Sequence, residues 1–123
     1  MRASRGEIKI EEILREAELN FKMEYIFPDL RSPNGRPLRF DFVVFDDDGN
    51  VDFLIEYQGE QHYEAFKHFG GKRNLARQQY NDNQKRIYCA RKEIPLVIIP
   101  YWKFIELDYD LIINCAYNGG GVV

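Results

Sequence analysis

The chain has few cysteine, histidine and tryptophan residues: two, two and one among its 123 residues. Cys89 and Cys115 lie far apart without a C-x-x-C spacing, so no zinc site or disulfide framework is indicated and two reduced thiols are predicted. No apolar run approaches the roughly 20 residues that span a bilayer, and MRASRGEIKI at the N-terminus lacks the apolar stretch of a signal peptide. These absences favour one globular domain over residues 1–123, with no membrane partner and a cytoplasmic location by default.

An excess of positive charge is also absent, because 17 Lys and Arg against 20 Asp and Glu give a formal net charge of −3. This balance argues against binding nucleic acid through bulk charge alone. Positive and negative charges are nevertheless segregated along the chain. Residues 41–60 include acids and no Lys or Arg, whereas residues 67–92 are rich in Lys and Arg and include a single acid, Asp82. A metal site beside a phosphate track would need this arrangement, although two solvated faces of opposite sign would also produce it.

The first half of the chain carries signals for a helix and a β-hairpin. Ser4 and Glu7 form an S-x-x-E capping box, after which apolar residues recur at helical spacing from Ile10 onward. FPDLRSPNGRP, rich in turn formers, is expected to be a bend. LRFDFVVF and VDFLIEYQG alternate in polarity around DDDGN, which predicts two hairpin strands and assigns the three aspartates at 46–48 to the turn alone.

The second half predicts a helix, a strand and another helix. NLARQQYNDNQKRIYCARKE indicates a helix of roughly 18 residues beginning at Asn74. IPLVIIPYW is typical of a buried strand, and YDLIINCAY of a helix that packs the far side of the sheet. The tail NGGGVV, residues 118–123, is expected to fray. The order predicts an α/β fold in which the hairpin meets a later strand across a helical crossover, giving a mixed central sheet flanked by helices.

Polar side chains crowd the end of the second hairpin strand, in IEYQGEQHY. Glu56 and Gln58 are two apart and share a face, and Asp41 joins them only if the hairpin register brings its face round to theirs. Helical stepping directs Asp82 and Lys85 toward the sheet if Cys89 is buried. Clustered carboxylates are costly unless a cation neutralises them, and their hard oxygen ligands suit Mg²⁺ or Mn²⁺, ions that promote phosphodiester cleavage.

The order of these motifs resembles that of the PD-(D/E)xK nuclease superfamily: GE opening a helix, RFDF on one strand, IEYQGEQHY on the next, and D-x-x-K in a following helix. The closest similarity is to the branch of very-short-patch-repair endonucleases and related phage homing endonucleases, whose active sites add a helix Glu, a His and a later Asp. The resemblance covers Gly6 to about Tyr101. It implies a restriction-endonuclease-like core.

The resemblance also implies a metal site. Asp41 and Glu56 would be the principal ligands of Mg²⁺, with Mn²⁺ as a substitute. The main-chain carbonyl of Tyr57 would be a third ligand, and Glu7 would act on the metal directly or through water. Glu7 could equally be a helix cap and nothing more.

The remaining catalytic assignments concern proton transfer and positive charge. His62 would be general base or leaving-group acid, unless it only closes the strand, and Asp82 would be the later acid. Gln58 stands where the superfamily usually has lysine, so Lys85 or His62 would have to supply the missing charge. Asp82 and Lys85 alone would also fit an exposed helical ion pair. The residues expected to hold the DNA backbone are Lys67, Lys72, Arg73, Arg77 and Arg86.

The activity that the resemblance implies is Mg²⁺-dependent hydrolysis of DNA by an endonuclease that leaves a 5′-phosphate, in a bacterial or phage-infected cell. Phosphate contacts alone give little site selectivity, so we expect a DNA-recognition domain elsewhere in a longer protein, or a homodimer that cuts both strands; a monomer with one site would nick. The alternatives are a weak or inactive nucleic-acid-binding module, an interaction domain without a nucleic-acid role, and RNA as substrate.

Overall fold

The computed structural model describes residues 4–60 and 71–123, except the side chains of residues 71, 72 and 74. Within these residues the elements are α1 Arg5–Glu16, β1 Asn20–Arg31, β2 Pro37–Phe45, β3 Val51–Gln58, α2 Gly71–Lys92, β4 Leu96–Pro100, a 3₁₀ turn Tyr101–Lys103, α3 Tyr109–Tyr117 and β5 Gly121–Val122. The sheet order is β1-β2-β3-β4-β5, antiparallel from β1 to β3 and parallel from β3 to β5. The prediction of an α/β fold with a mixed sheet is confirmed.

Helix α1 begins at the predicted capping box. The Ser4 hydroxyl accepts a hydrogen bond from the Glu7 N–H at 3.2 Å and donates one to the Glu7 carboxylate at 3.1 Å. Gly6 lies directly against the end of β3, because a Cβ built there would be 2.0 Å from Cζ of Tyr57. The cap and this close approach hold the start of α1, and with it Glu7, beside the polar end of β3.

The predicted hairpin is formed by β2 and β3. Asp46 Oδ1 accepts hydrogen bonds from the N–H groups of Asp48 at 3.0 Å and Asn50 at 2.9 Å, so this carboxylate organises the turn, as expected. In the ladder Phe42 pairs with Ile55. This register decides which side chains of the two strands meet.

The prediction of a bend over all of FPDLRSPNGRP is wrong for its first five residues. Phe27 to Arg31 continue β1, and only residues 32–36 form the turn, which the Ser32 N–H closes on the Arg36 carbonyl at 2.8 Å. Pro28 is tolerated because β1 is an edge strand, where a missing N–H interrupts no ladder on the outer side. The half-buried positions of β1 include Phe21, Met23, Tyr25 and Phe27, which recur at every second residue as in a strand with one face packed on a core.

The helices cover both faces of the sheet. Buried residues of α1 and α3, Ile10, Leu14, Ile112 and Ala116, share one apolar core, which we call the α1 side. Tyr88 and Cys89 of α2 belong to the core of the opposite face, the α2 side. The placement of the last helix is therefore confirmed, while α2 begins three residues before the predicted Asn74. None of the helices in the described part of the chain is long and apolar enough to cross a membrane.

The end of the chain, predicted to fray, joins the sheet instead. Gly121 and Val122 pair in parallel with β4, and the Val123 N–H donates to the Ile98 carbonyl at 2.9 Å. Gly120 permits this return from α3, because its φ is +84° and a Cβ there would lie 2.7 Å from the backbone nitrogen of Leu96. The glycines that suggested fraying serve here as a tight connection.

Candidate metal-dependent active site

Glu56 lies near the end of β3 on the α2 side of the sheet. Leu54, two residues earlier, packs in the α2-side core, and the alternation of a strand places Glu56 and Gln58 on that same face. The side chain of Glu56 is only 13% exposed. A carboxyl group is thus held between α2 and the sheet, where it needs polar partners.

Asp41 is one of those partners. With Phe42 opposite Ile55, the next position along the ladder brings Asp41 beside Glu56, close enough for the charge of Asp41 to act on the Glu56 carboxyl group. Asp41 Oδ2 also accepts a 2.7 Å hydrogen bond from the Tyr57 N–H. The register on which the sequence hypothesis depended is therefore present.

Strands β1 and β2 exchange faces at the level of Asp41. In β2, Phe40 packs in the α2-side core and Phe42 in the α1-side core, although residues two apart on a regular strand share one face. The same exchange occurs in β1 between Met23 and Tyr25, around Glu24, whose φ is +54°. Asp41 consequently lies between two phenylalanines that are anchored on opposite sides of the sheet.

Lys85 brings positive charge to the carboxyl pair. Its Nζ contacts Glu56 Oε1 and lies 5.4 Å from the centroid of the Phe40 ring. Cys89, one helical turn further along α2, is buried, so the helix presents Lys85 to the sheet as its spacing predicted. The reading of Lys85 as part of an exposed helical ion pair is wrong, because its side chain is 16% exposed and paired with Glu56.

Burial and neighbouring charge perturb the acids of this group. Loss of hydration raises the pKa of Glu56 to about 8; the ammonium of Lys85 opposes this rise, and Asp41 adds to it. Burial also raises the pKa of Glu7, and the charges of Asp41 and Glu24 contribute. A cation close to these carboxyl groups would relieve both effects.

An open cleft of about 790 Å³, the first cleft, lies over this group. Most of the predicted site residues line it, namely Glu7, Glu56, Tyr57, Gln58, Arg77, Asp82, Lys85 and Arg86. Arg73 is exposed on α2 and is not among the lining residues. His62 and Lys67, and the side chain of Lys72, lie outside the described residues. The fold thus gathers residues from α1, β3 and α2 into one polar cleft.

Asn81 also lines the first cleft and was missed in the sequence. Its Oδ1 is buried and has no hydrogen-bond partner among the described residues. The signal that would have found it is helical spacing, since Asn81 lies one turn before Lys85 on the face of α2 that meets the sheet.

The donor set suits a hard cation with open coordination positions. No group of three or more His, Cys, Asp or Glu residues in the described part of the chain is arranged to hold a metal ion. Asp41 and Glu56 are nevertheless two neighbouring carboxyl groups, and Mg²⁺ is commonly bound through one or two carboxylates with water completing its shell. The pair fits Mg²⁺ better than Zn²⁺, whose structural sites use four protein ligands.

Comparison with known proteins finds similarity to virus proteins. Uncharacterized protein 094L of Frog virus 3 (isolate Goorha) is 45% identical over 49 residues, which cover 38% of this chain and 32% of that protein. Uncharacterized protein 307L of Invertebrate iridescent virus 6 is 40% identical over 48 residues, covering 38% of this chain and 24% of that protein. The matches span a third or less of these relatives. No family model matches the chain, and no solved structure matches it significantly.

Proposed function

We propose that the chain is a metal-dependent endonuclease domain that hydrolyses phosphodiester bonds in DNA. The observation that carries the proposal is Glu56, a mostly buried carboxyl group that neighbours Asp41 and contacts Lys85, in a cleft that Arg77 and Arg86 also line. Carboxylates repel phosphate, so a surface that only bound DNA would gain nothing from them. With a bound cation they become useful to phosphoryl chemistry.

The metal ligands follow from this geometry. Asp41 and Glu56 would hold Mg²⁺ or Mn²⁺, with the Tyr57 carbonyl as a further ligand and Glu7 acting directly or through water. The Tyr57 N–H, bonded to Asp41, fixes the orientation of that carboxylate before any ion arrives. When bound, the ion would lower the pKa of an attacking water and stabilise charge on the phosphate.

Lys85 takes the role of the superfamily lysine in this proposal. It reaches the carboxyl pair from α2, whereas Gln58 occupies the usual strand position and offers only a neutral amide to a phosphate oxygen. His62 is proposed as base or leaving-group acid, and Asp82 as the later acid of the cleft. The water oxygen bonds to phosphorus, the bond from phosphorus to the 3′ oxygen breaks, and the 3′ oxygen takes a proton, leaving a 5′-phosphate.

A second candidate function is a nucleic-acid-binding module without catalysis. One contact favours this alternative. Lys85 is paired with Glu56 without a metal. Gln58 is uncharged and cannot supply a second positive charge for a phosphate. This alternative predicts DNA binding that is independent of metal and unaffected by Glu56→Ala.

The wider setting is also a proposal. The matched relatives are virus proteins, which supports an infected host cell as the place of action. We propose that selectivity comes from a DNA-recognition domain in a longer protein or from a homodimer, since phosphate contacts position DNA without reading its sequence. One active site alone would nick a duplex.

Cleavage of supercoiled plasmid in Mg²⁺, Mn²⁺ or EDTA tests the proposed function. The wild-type protein should nick or linearise the plasmid only with a cation, and Glu56→Ala and Asp41→Asn should each abolish cleavage. Asp52→Asn is the matched control, because Asp52 lies at the end of β3 away from the site. This variant should retain the activity of the wild type. A folded wild-type protein that leaves plasmid intact with either metal but binds it in EDTA would favour the binding module.

A further inference from the structure

A second cleft, of about 730 Å³, separates α2 from the turn between β1 and β2. Residues 32–34 and 36–38 form its wall at the turn and the start of β2, and Arg77, Tyr80 and Asn81 form its wall on α2. Arg77 and Asn81 also line the first cleft. The two clefts are therefore neighbours that share part of one helix.

The second cleft is positively charged although the whole chain has a formal net charge of −3. Arg36 and Arg77 line it, and none of its other lining residues in the described part of the chain is acidic. Within the described residues, neither arginine forms a salt bridge. Two guanidinium groups without local acidic partners, facing one concave surface, suit an anion such as a phosphodiester.

Tyr80 adds a feature that inorganic phosphate would not use. Its side chain, about half exposed, offers an aromatic ring to the cleft that the two arginines line. An aromatic ring and guanidinium groups together match a base and its phosphate, and stacking on aromatic rings is the usual way that single strands are held.

We propose that the second cleft binds one nucleotide of a single or locally unpaired strand, next to the bond presented at the first cleft. Tyr80 stacks on the base, while Arg36 and Arg77 contact the phosphate. Tyr80 lies five residues before Lys85, about 7.5 Å along the helix axis, so one strand can reach both clefts. The position relative to the cut rests on the proposed function; the binding itself does not.

Fluorescence anisotropy of the full chain in EDTA tests this inference, because no cleavage occurs without metal. The probes are a short labelled single-stranded DNA and a labelled hairpin duplex of the same sequence. Tyr80→Leu should weaken binding of the single strand by about tenfold and change binding of the duplex less than about twofold. Tyr80→Phe, which keeps the ring, should bind like the wild type.

Arg36→Ala should weaken binding of the single strand and lower the slope of log affinity against log salt by about one. Arg91→Ala is the matched control, since Arg91 is exposed in the last turn of α2 and lines neither cleft. Circular dichroism establishes that each variant is folded. Unchanged single-strand affinity in folded Tyr80→Leu, or equal losses for both probes, would overturn the inference.

Plasmid cleavage in Mg²⁺ separates this inference from the proposed function. A protein that binds the single strand through Tyr80 but cleaves nothing would refute the nuclease and keep the second cleft. If the wild-type protein cleaves plasmid but neither Tyr80→Leu nor Arg36→Ala weakens its binding of the single strand, the second cleft is refuted and the nuclease proposal stands. A wild-type protein that binds neither probe and leaves the plasmid intact in Mg²⁺ would overturn both.

Discussion

The ammonium group of Lys85 on α2 contacts the carboxylate of Glu56 on β3, across 29 positions of the sequence. The two side chains are 16% and 13% exposed, so each group relies on the other to offset its lost hydration. The pair also joins the helix that lines the clefts to the strand that carries the candidate ligand. If the proposed metal site exists, the stability of this contact and the occupancy of that site should affect one another.

Above about pH 8, where the Glu56 carboxyl group is ionised in the folded wild type, Lys85→Met should destabilise the metal-free protein by about 3 kcal/mol, because it removes the cationic partner of a mostly buried carboxylate. Mg²⁺ should stabilise this variant more than it stabilises the wild type, since the ion would supply the missing positive charge. Urea unfolding in EDTA and in Mg²⁺ measures both effects.

Lys103→Met is the control for Lys85→Met. Lys103 pairs at 3.2 Å with Glu106, which is 63% exposed, and its loss should cost no more than about 0.5 kcal/mol. An equal effect of Mg²⁺ on the stability of wild type and Lys85→Met would contradict the proposed metal site. The predicted loss of stability is tested separately, by the unfolding measured in EDTA.

The raised pKa of Glu56 predicts a pH dependence of stability. The folded protein holds this proton up to about pH 8, whereas an unfolded Glu releases it near its ordinary pKa of 4.5. Folding therefore binds a proton between these values, and in EDTA the free energy of unfolding should fall as pH rises through that window. Urea unfolding across the window measures the slope.

Glu56→Gln should flatten that slope, because the amide does not titrate. The comparison is made as a difference between variant and wild type, so that other titrating groups cancel. Parallel pH profiles for the two proteins would show that the Glu56 carboxyl titrates normally in the fold.

Gly6→Ala should loosen the contact between α1 and β3. The new Cβ would meet the Tyr57 ring at 2.0 Å, so the ring or the helix must shift, at a cost of about 1–3 kcal/mol. The shift should also disturb the Tyr57 backbone that binds Asp41 and thereby reduce metal-dependent cleavage. Thermal unfolding measures the first effect, and plasmid cleavage the second.

Gly59→Ala is the matched control, because a Cβ there would lie 4.0 Å from the Tyr57 ring, an ordinary contact distance. Its thermal stability should stay close to that of the wild type. If Gly6→Ala were equally neutral, α1 would not be held by this contact, and Glu7 would be removed from the candidate metal site.

Cys89 should react slowly with iodoacetamide in the native protein. Burial raises the pKa of its thiol to about 12, and the nearby carboxylate of Glu56 contributes. In a Cys115→Ser background Cys89 is the single thiol, and alkylation at mildly alkaline pH should be at least about tenfold slower than in urea. Equal rates, followed by mass spectrometry, would show that α2 does not stay packed on the sheet.

Much of the sheet could be predicted from the sequence because its central strands carry strong local signals. The hairpin of β2 and β3 has alternating polarity and an Asp-rich turn, and β4 is an unbroken apolar run between prolines. Strand β1 was missed although Phe21, Met23, Tyr25 and Phe27 alternate as in a strand, because Pro28 and the turn formers after it indicated a bend. The tail at β5 escaped because glycine-rich segments look alike whether they fray or return to a sheet.

The candidate site, like the sheet, has features that the local sequence predicts and features that depend on how distant segments pack. Glu56 and Gln58 share a face by the alternation of a strand, which local sequence reveals. The pairing of Asp41 with Glu56 required the hairpin register, and the contact of Lys85 with Glu56 required the packing of α2, neither of which is encoded locally. The exchange of faces at Glu24 depends on one left-handed residue that no side-chain pattern announces.

That exchange has a mechanical consequence for Asp41. Because Phe40 is inserted into one core and Phe42 into the other, the backbone of Asp41 cannot translate unless both apolar layers repack. Its position is settled by the folding of the whole sheet before any ligand is present. An ion bound by Asp41 would meet a ligand whose backbone is already fixed, so less ordering would remain to be done on binding.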